Sequence, residues 1–201
     1  MAAIIANLQN ARLSADAGDF IPYTPEEFAR FCADYPDLRT ELTPLGELVI
    51  MPPAGDESSL RNADLTADLV IWNRTARLGK VFDSSAGFLF PNGAIRSPDA
   101  SWVAQPRWDA LPAEQRGRFS PLAPGFVVEL LSPTDRLSTT QAKMREYMEN
   151  GVRLGWLINP RDKTVELSGI GREVEVLTCP SSLSGEDVLP GFILDLTSIW
   201  Q

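Results

Sequence analysis

Residues 126–133 read FVVELLSP, and they form the strongest strand pattern of the chain. The nearly continuous apolar run over residues 126–131 indicates a strand that is covered on both faces and therefore central in a sheet. Its single charge is Glu129. Burial of an unpaired carboxylate costs several kcal/mol unless a cation, a hydrogen-bond network or a pKa shift compensates. Glu129 is therefore a candidate functional residue.

The residues after this strand continue the alternation of helix and strand. A helix is predicted to run as far as Asn150, with Gly151 as its stop signal. Its buried stripe consists of Leu137, Gln141, Met144 and Met148. The elements predicted beyond it are a buried strand (154–158), an edge hairpin (164–167 with 173–177) and a short packed tail (190–200).

The residues before this strand begin with Thr24-Pro25-Glu26-Glu27, which has the cap, proline and glutamate pattern of a helix start. A longer helix is predicted over residues 58–78, with Gly79 as its cap, and its wide apolar face should lie on a sheet. The other predicted elements are a hairpin (39–42 and 47–51 around the turn 43–46), strands over 81–82, 87–90 and 97–104, and a surface loop with one helical turn over 105–125.

The 201 residues contain no histidine and carry a formal net charge of −9. The lack of histidine excludes a Ser-His-Asp or Cys-His triad, histidine-ligated zinc or non-haem iron, and an imidazole base. Catalysis must therefore rest on carboxylates, lysine, hydroxyls or a hard metal ion. Cys32 and Cys179 have no CxxC spacing, so neither a zinc site nor a disulfide scaffold is indicated. We interpret them as two buried thiols in a reducing cytosol.

The length and the even composition predict one domain without repeats or linkers. We interpret residues 1–20 as an N-terminal extension and residues 21–201 as the domain. Residues 1–18 lack a basic n-region, and no stretch approaches the roughly 18 apolar residues of a membrane span. The sequence therefore predicts a cytoplasmic protein with no membrane partner.

Asp99 lies on a predicted strand, 30 residues before Glu129. Two carboxylates from adjacent strands, with backbone carbonyls and waters, form an all-oxygen site suited to Mg²⁺, or to Mn²⁺ as a substitute. Two other interpretations remain open from the pattern alone. Glu129 could face the solvent side of a half-covered strand, or it could pair with an arginine.

Lys143 and Tyr147 lie four residues apart on the helix after Glu129, so they share one face. That face adjoins Met144 and Met148 of the buried stripe. A lysine at the border of a buried stripe can reach over the sheet edge toward Glu129. The alternative is a solvated lysine that extends from an amphipathic helix into water.

The residues around Asp99, Glu129 and Lys143 form three motifs with a defined order and spacing. They are Ser97-Pro98-Asp99-Ala100-Ser101, Val127-Val128-Glu129-Leu130-Leu131-Ser132-Pro133 and Lys143-x-x-x-Tyr147-x-x-x-Gly151-Val152. Together with segments at 24–28, 41–52 and 189–192, they resemble the Uma-type family of putative restriction endonucleases, members of the PD-(D/E)xK nuclease superfamily. The resemblance runs along most of the chain.

The resemblance implies an α/β fold with a single-domain restriction-endonuclease-like core. A central mixed β-sheet would be flanked by helices, with an N-terminal helix and hairpin and a C-terminal edge hairpin. Asp99 and Glu129 would hold Mg²⁺ or Mn²⁺ together with the backbone carbonyl of Leu130, and Asp99, Glu129 and Lys143 would be catalytic. The implied reaction is metal-dependent hydrolysis of nucleic-acid phosphodiester bonds, with DNA as the expected substrate.

The chain departs from the family pattern in two respects. The superfamily usually has a lysine two residues after the second acid, where this chain has Leu131, and the family pattern gives that role to Lys143. Many relatives have a histidine near the start of the long helix, so its role here is absent or taken by a residue such as Asn62. Glu41 and Tyr147 are additional candidates for the site, although Glu41 could also be a surface strand residue.

A different class of function is a nuclease-fold protein that acts only in binding or assembly. The displaced lysine, the low isoelectric point and three tryptophans placed in loops or at strand ends (Trp102, Trp108 and Trp200) favour it, although tryptophans are more often core residues. A third alternative is action on another phosphate compound. A homodimer is reasonable for an enzyme that must cut two strands.

The acidic net charge argues at first against a nucleic-acid partner, but its distribution is uneven. Residues 61–160 hold 12 basic and 10 acidic side chains, a net charge of +2. We place four of the basic residues on the long helix: Arg61, Arg74, Arg77 and Lys80. The segment that contains every motif is therefore mildly basic, and a phosphate-bearing substrate is not excluded.

Overall fold

The computed structural model describes residues 22–201, so the extension predicted for residues 1–20 lies outside it. The helices of this part of the chain are α1 (Pro25–Asp34), α2 (Asp56–Ala76), α3 (Gln105–Asp109), α4 (Ala113–Arg116) and α5 (Leu137–Glu149). The strands are β1 (Arg39–Leu42), β2 (Leu48–Met51), β3 (Gly79–Asp83), β4 (Phe88–Leu89), β5 (Ile95–Arg96), β6 (Ala100–Ala104), β7 (Phe126–Leu130), β8 (Leu154–Asn159), β9 (Thr164–Gly169), β10 (Glu175–Thr178), β11 (Ser182–Ser184) and β12 (Ile193–Asp195).

The main sheet has six strands in the order β10-β9-β8-β7-β6-β3. Strands β7 and β8 are parallel and are joined by helix α5, as a parallel pair requires, whereas the other neighbours are antiparallel. Leu65 and Leu69 of α2 pack on one face of the sheet, and Met144 of α5 packs on the other. The predicted mixed sheet flanked by helices and the central position of β7 are confirmed.

The five residues of β7 are all buried, and they alternate between the two faces. Val128 and Leu130 join the core beneath α2, whereas Val127 joins the core beneath α5. Glu129 is therefore on the α5 side, and it is only 7% exposed. The alternative in which Glu129 faces solvent is wrong.

A smaller sheet with the order β2-β1-β5-β4 carries the N-terminal hairpin. The predicted hairpin is confirmed, and Gly46 in its turn has φ 79, where an added Cβ would lie 2.5 Å from the Cβ of Pro22. Leu42 of β1 pairs with Ile95 of β5. This single pairing brings Glu41, which is 3% exposed, next to Arg96.

Three predicted boundaries were wrong. Helix α2 ends at Ala76 and is capped by Arg77 with φ 56, whereas Gly79 begins β3, where an added Cβ would lie 2.2 Å from the carbonyl oxygen of Val103. The strand predicted over 97–104 begins only at Ala100, so Asp99 lies just before β6. The loop predicted over 105–125 contains two short helices, α3 and α4, rather than one turn.

The C-terminal elements agree with the prediction. Strands β9 and β10 form the hairpin, with β10 at the sheet edge, and the tail adds a separate hairpin of β11 and β12. Leu194, Leu196 and Ile199 of this tail belong to the core beneath α2.

The cysteines and tryptophans differ in part from their predicted environments. Cys179 is exposed and Cys32 is only half-buried, so the prediction of two buried thiols was wrong. Trp102 is buried in the core beneath α2, which contradicts an interface role for it, and Trp108 and Trp200 pack against the core edges. Among residues 22–201, no helix is both long and apolar enough to cross a membrane.

Candidate active site

Asp99 lies where β6 begins, opposite the end of β7. The β6–β7 register pairs Ala100 with Val128 and, continued by one residue, sets Asp99 opposite Glu129. The amide of Leu130 donates to Oδ2 of Asp99 at 2.8 Å, and Nδ2 of Asn62 on α2 donates to Oδ1 at 3.3 Å. The side chain of Asp99 thus takes the place of a strand partner and ties α2 to the end of β7.

Helix α5 contributes two side chains to Glu129. The Tyr147 hydroxyl donates to Oε1 of Glu129 at 2.7 Å, and Nζ of Lys143 lies 2.9 Å from the same oxygen. The two residues meet one carboxylate because they are four positions apart on a helix that covers this strand. The side chain of Lys143 is 16% exposed, so the solvated alternative does not hold.

Glu41 of β1 also contacts Lys143. Nζ of Lys143 lies 2.8 Å from Oε1 of Glu41, and the Ser97 amide donates to that same oxygen at 2.8 Å. Nη1 of Arg96 donates to Oε2 at 3.2 Å. Lys143 therefore bridges Glu41 and Glu129, and the surface alternative for Glu41 is wrong.

Arg96 and Glu146 belong to this network and were not identified from the sequence. Nε and Nη2 of Arg96 donate to the two carboxylate oxygens of Glu146 at 3.0 Å and 2.6 Å. This fork geometry is the strong form of an arginine–carboxylate pair. Arg96 could have been identified from the sequence, because it is a charged residue between apolar Ile95 and the Ser97-Pro98-Asp99 motif. No sequence feature marks Glu146.

The two carboxylates that share Lys143 have opposite pKa shifts. The pKa of Glu129 is raised to about 7, chiefly by burial and also by Asp99 and Glu41, while Lys143 and Tyr147 act to lower it. Burial also acts to raise the pKa of Glu41, but Lys143 and Arg96 outweigh it and the pKa is lowered. The second cation beside Glu41 accounts for the difference.

The pKa values of Asp99 and Lys143 are also set by burial and by neighbouring groups. Burial raises the pKa of Asp99, and its bond from the Leu130 amide only partly offsets that effect. The pKa of Lys143 is raised because Glu129 and Glu41 together outweigh the burial of the ammonium group. Lys143 is therefore a permanent cation at neutral pH.

The oxygen donors of this site suit a hard divalent cation in their chemistry. Within residues 22–201, no three His, Cys, Asp or Glu side chains are grouped so as to hold a metal ion, and Glu41 is already committed to two cations. Asp99 and Glu129 remain, and the buried Oδ1 of Asn62 has no hydrogen-bond partner in the described part of the chain. Carboxylate and amide oxygens are ligands that Mg²⁺ and Mn²⁺ accept, with water completing the shell.

Comparison with known proteins gives the family of the chain. The sequence model of the Uma2 family, described as "Putative restriction endonuclease", matches residues 25–197. The chain belongs to the Uma2 family. The predicted resemblance is thereby confirmed, and the matched segment includes Glu41, Asp99, Glu129 and Lys143. No curated protein matches the chain.

A solved structure gives independent support for the fold of this Uma2 member. The crystal structure of a putative nuclease belonging to DUF820, from Anabaena variabilis, superposes with a TM-score of 0.72 at 20% sequence identity. The match covers 89% of this chain and 98% of that one. The predicted α/β fold with a central mixed sheet therefore agrees with the fold of that solved structure.

The four basic residues predicted on one helix of this Uma2 protein do not all lie on that helix, and Arg61 lies far from the others. Arg61 lies in the second turn of α2, next to Asn62, whereas Arg77 caps the far end and Lys80 lies in β3. A helix of this length separates its two ends by about 30 Å. Only Arg61 of these residues is therefore close to the carboxylates.

Proposed function

We propose that this protein is a metal-dependent endonuclease that hydrolyses phosphodiester bonds in nucleic acid, with DNA as the substrate. The observation that carries the proposal is the position of Lys143, whose Nζ lies 2.9 Å from Glu129 where Asp99 faces that residue across the strand pair. Two acids and a lysine at one buried strand end suit the stabilisation of charge on a phosphate. Membership of the Uma2 family supports the same reaction class.

Asp99 and Glu129 would hold Mg²⁺ or Mn²⁺, with the backbone carbonyl of Leu130 as a third ligand. The Leu131 amide bonds to Ile158 of β8, so Leu130 turns its own polar groups toward β6. Its register partner there would be Pro98, which has no N–H to donate to the Leu130 carbonyl. A bound divalent ion supplies polarisation of the phosphate and a lowered pKa for an attacking water.

The side chains of the site have distinct roles in this proposal. Lys143 orients the attacking water and offsets the negative charge that accumulates on the phosphate oxygens. Glu41 and Tyr147 are positioning residues: Glu41 holds the ammonium group of Lys143, and Tyr147 fixes Oε1 of Glu129. Asp99 is held by the Leu130 amide, which fixes its orientation before any ligand binds.

The proposal is tested by nicking of supercoiled plasmid in Mg²⁺ or Mn²⁺. Glu129→Gln keeps the size of the side chain and its contact with Tyr147, but it removes the charge. We expect the nicking rate to fall by at least about 100-fold while thermal unfolding stays cooperative. The matched control is Glu149→Gln on the exposed face of α5, which should cut at the wild-type rate. Nicking retained by Glu129→Gln would refute the site.

A nuclease-fold protein that acts only in binding or assembly is the second candidate. It is favoured by the two ion pairs of Lys143, which already neutralise part of the carboxylate charge without a metal. This candidate predicts nucleic-acid binding without cleavage in either metal.

The plasmid assay also tests whether the protein acts as a homodimer. Nicked circular plasmid as the first product would indicate one active copy, whereas direct conversion to linear DNA would indicate a homodimer.

A further inference from the structure

A cleft of about 400 Å³ lies at the C-terminal ends of β7 and β8. Its walls come from four places in the chain: the start of α2, the loop after β7, the turn between β8 and β9, and residues Trp200 and Gln201. The lining residues that matter here are Arg61, Leu131, Ser132, Asn159, Arg161 and Lys163. We refer to it as the basic cleft.

The basic cleft carries more positive than negative charge. Its cations are Arg61, Arg161 and Lys163, whereas Glu57 is its acidic lining side chain. Arg61 pairs with the exposed Glu57 at 3.3 Å, and its Nε donates to the Ile199 carbonyl at 3.1 Å, which fixes the guanidinium at the wall. Arg161 lies 3.4 Å from its chain neighbour Asp162.

Lys163 has no ion pair with any residue of the described chain, 22–201. Its backbone has φ 52, a left-handed conformation that glycine adopts at lower cost than lysine. The turn geometry therefore does not require lysine at this position. The ammonium group is free to meet a ligand in the basic cleft.

The basic cleft adjoins the candidate active site through two short connections. Arg61 precedes Asn62, whose amide donates to Asp99. Leu131 lines the cleft and lies two residues after Glu129 on the same chain segment. A polymer bound at the carboxylates would therefore place its next units at this cleft.

Resting on the proposed function, we propose that the basic cleft binds a backbone phosphate of the nucleic-acid strand, adjacent to the phosphodiester that is cut. The exposed Lys163 and Arg161 supply positive charge, and Arg61 supplies a guanidinium held by Glu57 and the Ile199 carbonyl. Phosphate contacts of this kind position a strand without reading its sequence. The cleft would thus set affinity and register, while the carboxylates carry out the chemistry.

The test compares Lys163→Gly with Arg77→Gly. Both substitutions remove one cation from a left-handed backbone position, φ 52 and φ 56, so neither should destabilise the fold. Arg77 lies at the far end of α2 and serves as the control. Fluorescence anisotropy of a labelled DNA duplex in EDTA gives Kd at several salt concentrations, and plasmid cleavage in Mg²⁺ gives KM and kcat.

We expect Lys163→Gly to raise Kd and KM by about 3- to 10-fold, to lower the slope of log K against log salt by about one, and to leave kcat unchanged. Arg77→Gly should change Kd by less than about 2-fold. Adding Arg161→Gln to Lys163→Gly should weaken binding further. Inorganic phosphate should compete better with wild-type protein than with Lys163→Gly.

The outcomes separate this inference from the proposed function. If wild-type protein cuts DNA and Lys163→Gly binds like Arg77→Gly, the cleft assignment is wrong and the nuclease proposal stands. If Lys163→Gly weakens binding but wild-type protein does not cut, the cleft assignment holds and the nuclease proposal fails. If wild-type protein neither binds nor cuts, both are overturned.

Discussion

Glu41 and Asp99 are both acidic neighbours of Glu129, but their negative charges are compensated differently. Glu41 is contacted by two cations, Lys143 and Arg96, and by the Ser97 amide, and its pKa is lowered. Asp99 accepts only from two neutral donors, has no ion pair among residues 22–201, and has a raised pKa. We call Glu41, Arg96 and Glu146 the closed side of the cluster, and Asp99 and Glu129 its open side, where Lys143 beside Glu129 is the one paired cation among residues 22–201.

The difference indicates which residues of the cluster hold it together and which would bind a cation. A buried carboxylate with two cations gains nothing further from a ligand, so Glu41 serves to hold Lys143 in place. A carboxylate with a raised pKa is one whose charged form is poorly compensated, and a bound cation would stabilise it. We therefore expect substitutions on the closed side to affect stability and those on the open side to affect activity.

The largest expected effect on stability is at Arg96. Arg96→Ala leaves Glu41 and Glu146 without the guanidinium they share, which should lower the free energy of unfolding by about 3–5 kcal/mol. Asp99→Asn keeps the shape of the side chain and should change it by no more than about 1 kcal/mol. Urea unfolding in EDTA measures both. The control is Arg153→Ala in the exposed pair with Asp187, which should cost under about 1 kcal/mol. Equal losses for Arg96→Ala and Asp99→Asn would contradict the comparison.

The next effect concerns Lys143, which touches Glu129 and the closed side together. Lys143→Met keeps the apolar stem but removes the charge. The nicking rate should fall by about 100-fold, because the substrate phosphate loses its nearest fixed cation. Mg²⁺ affinity, measured by calorimetry, should be unchanged or tighter since one repulsive charge is removed. Lys80→Met in β3 is the control. A wild-type nicking rate for Lys143→Met would make Lys143 purely structural.

The sequence predicted the elements that depend on local pattern. The continuous apolar run made β7 central, and the spacing of Lys143 and Tyr147 placed both beside Glu129. Gly79 was predicted as the cap of α2, but it begins β3. A glycine is needed there because β3 passes close to the Val103 carbonyl, a contact between distant segments that no local pattern encodes.

The rest of the site depends on contacts that no local pattern encodes. Asp99 lies before β6 rather than in it. Its side chain accepts the hydrogen bond from the Leu130 amide that a backbone carbonyl would accept in a continued strand. Arg96 meets Glu41 through the pairing of β5 with β1 in a second sheet, and it meets Glu146 of α5 across 50 residues of chain. Arg96 and Glu146 of the closed side were therefore missed, whereas Glu41, Asp99 and Glu129 were named as candidates from the sequence.

The smallest expected effect is the pH dependence of metal binding on the open side. Glu129 has a pKa of about 7 in the metal-free protein, above its ordinary value of 4.5. A carboxyl whose pKa is raised by folding makes the folded state less stable as pH rises from the unfolded to the folded pKa. In EDTA, Tm should therefore decrease from about pH 5 to pH 7 through this group.

Mg²⁺ should reverse that trend, because a divalent ion and a proton compete for the same carboxylate. With a pKa near 7, the ionised fraction of Glu129 rises about 10-fold between pH 6 and pH 8, and Mg²⁺ affinity should rise by about the same factor and then level off. The measurement is the difference in Tm between Mg²⁺ and EDTA at pH 5.5 to 8. Glu129→Gln should remove most of the pH dependence of this difference. A difference that is largest at pH 5.5 would mean that the metal does not bind the ionised form of Glu129, and the open side would lose its assignment as the cation site.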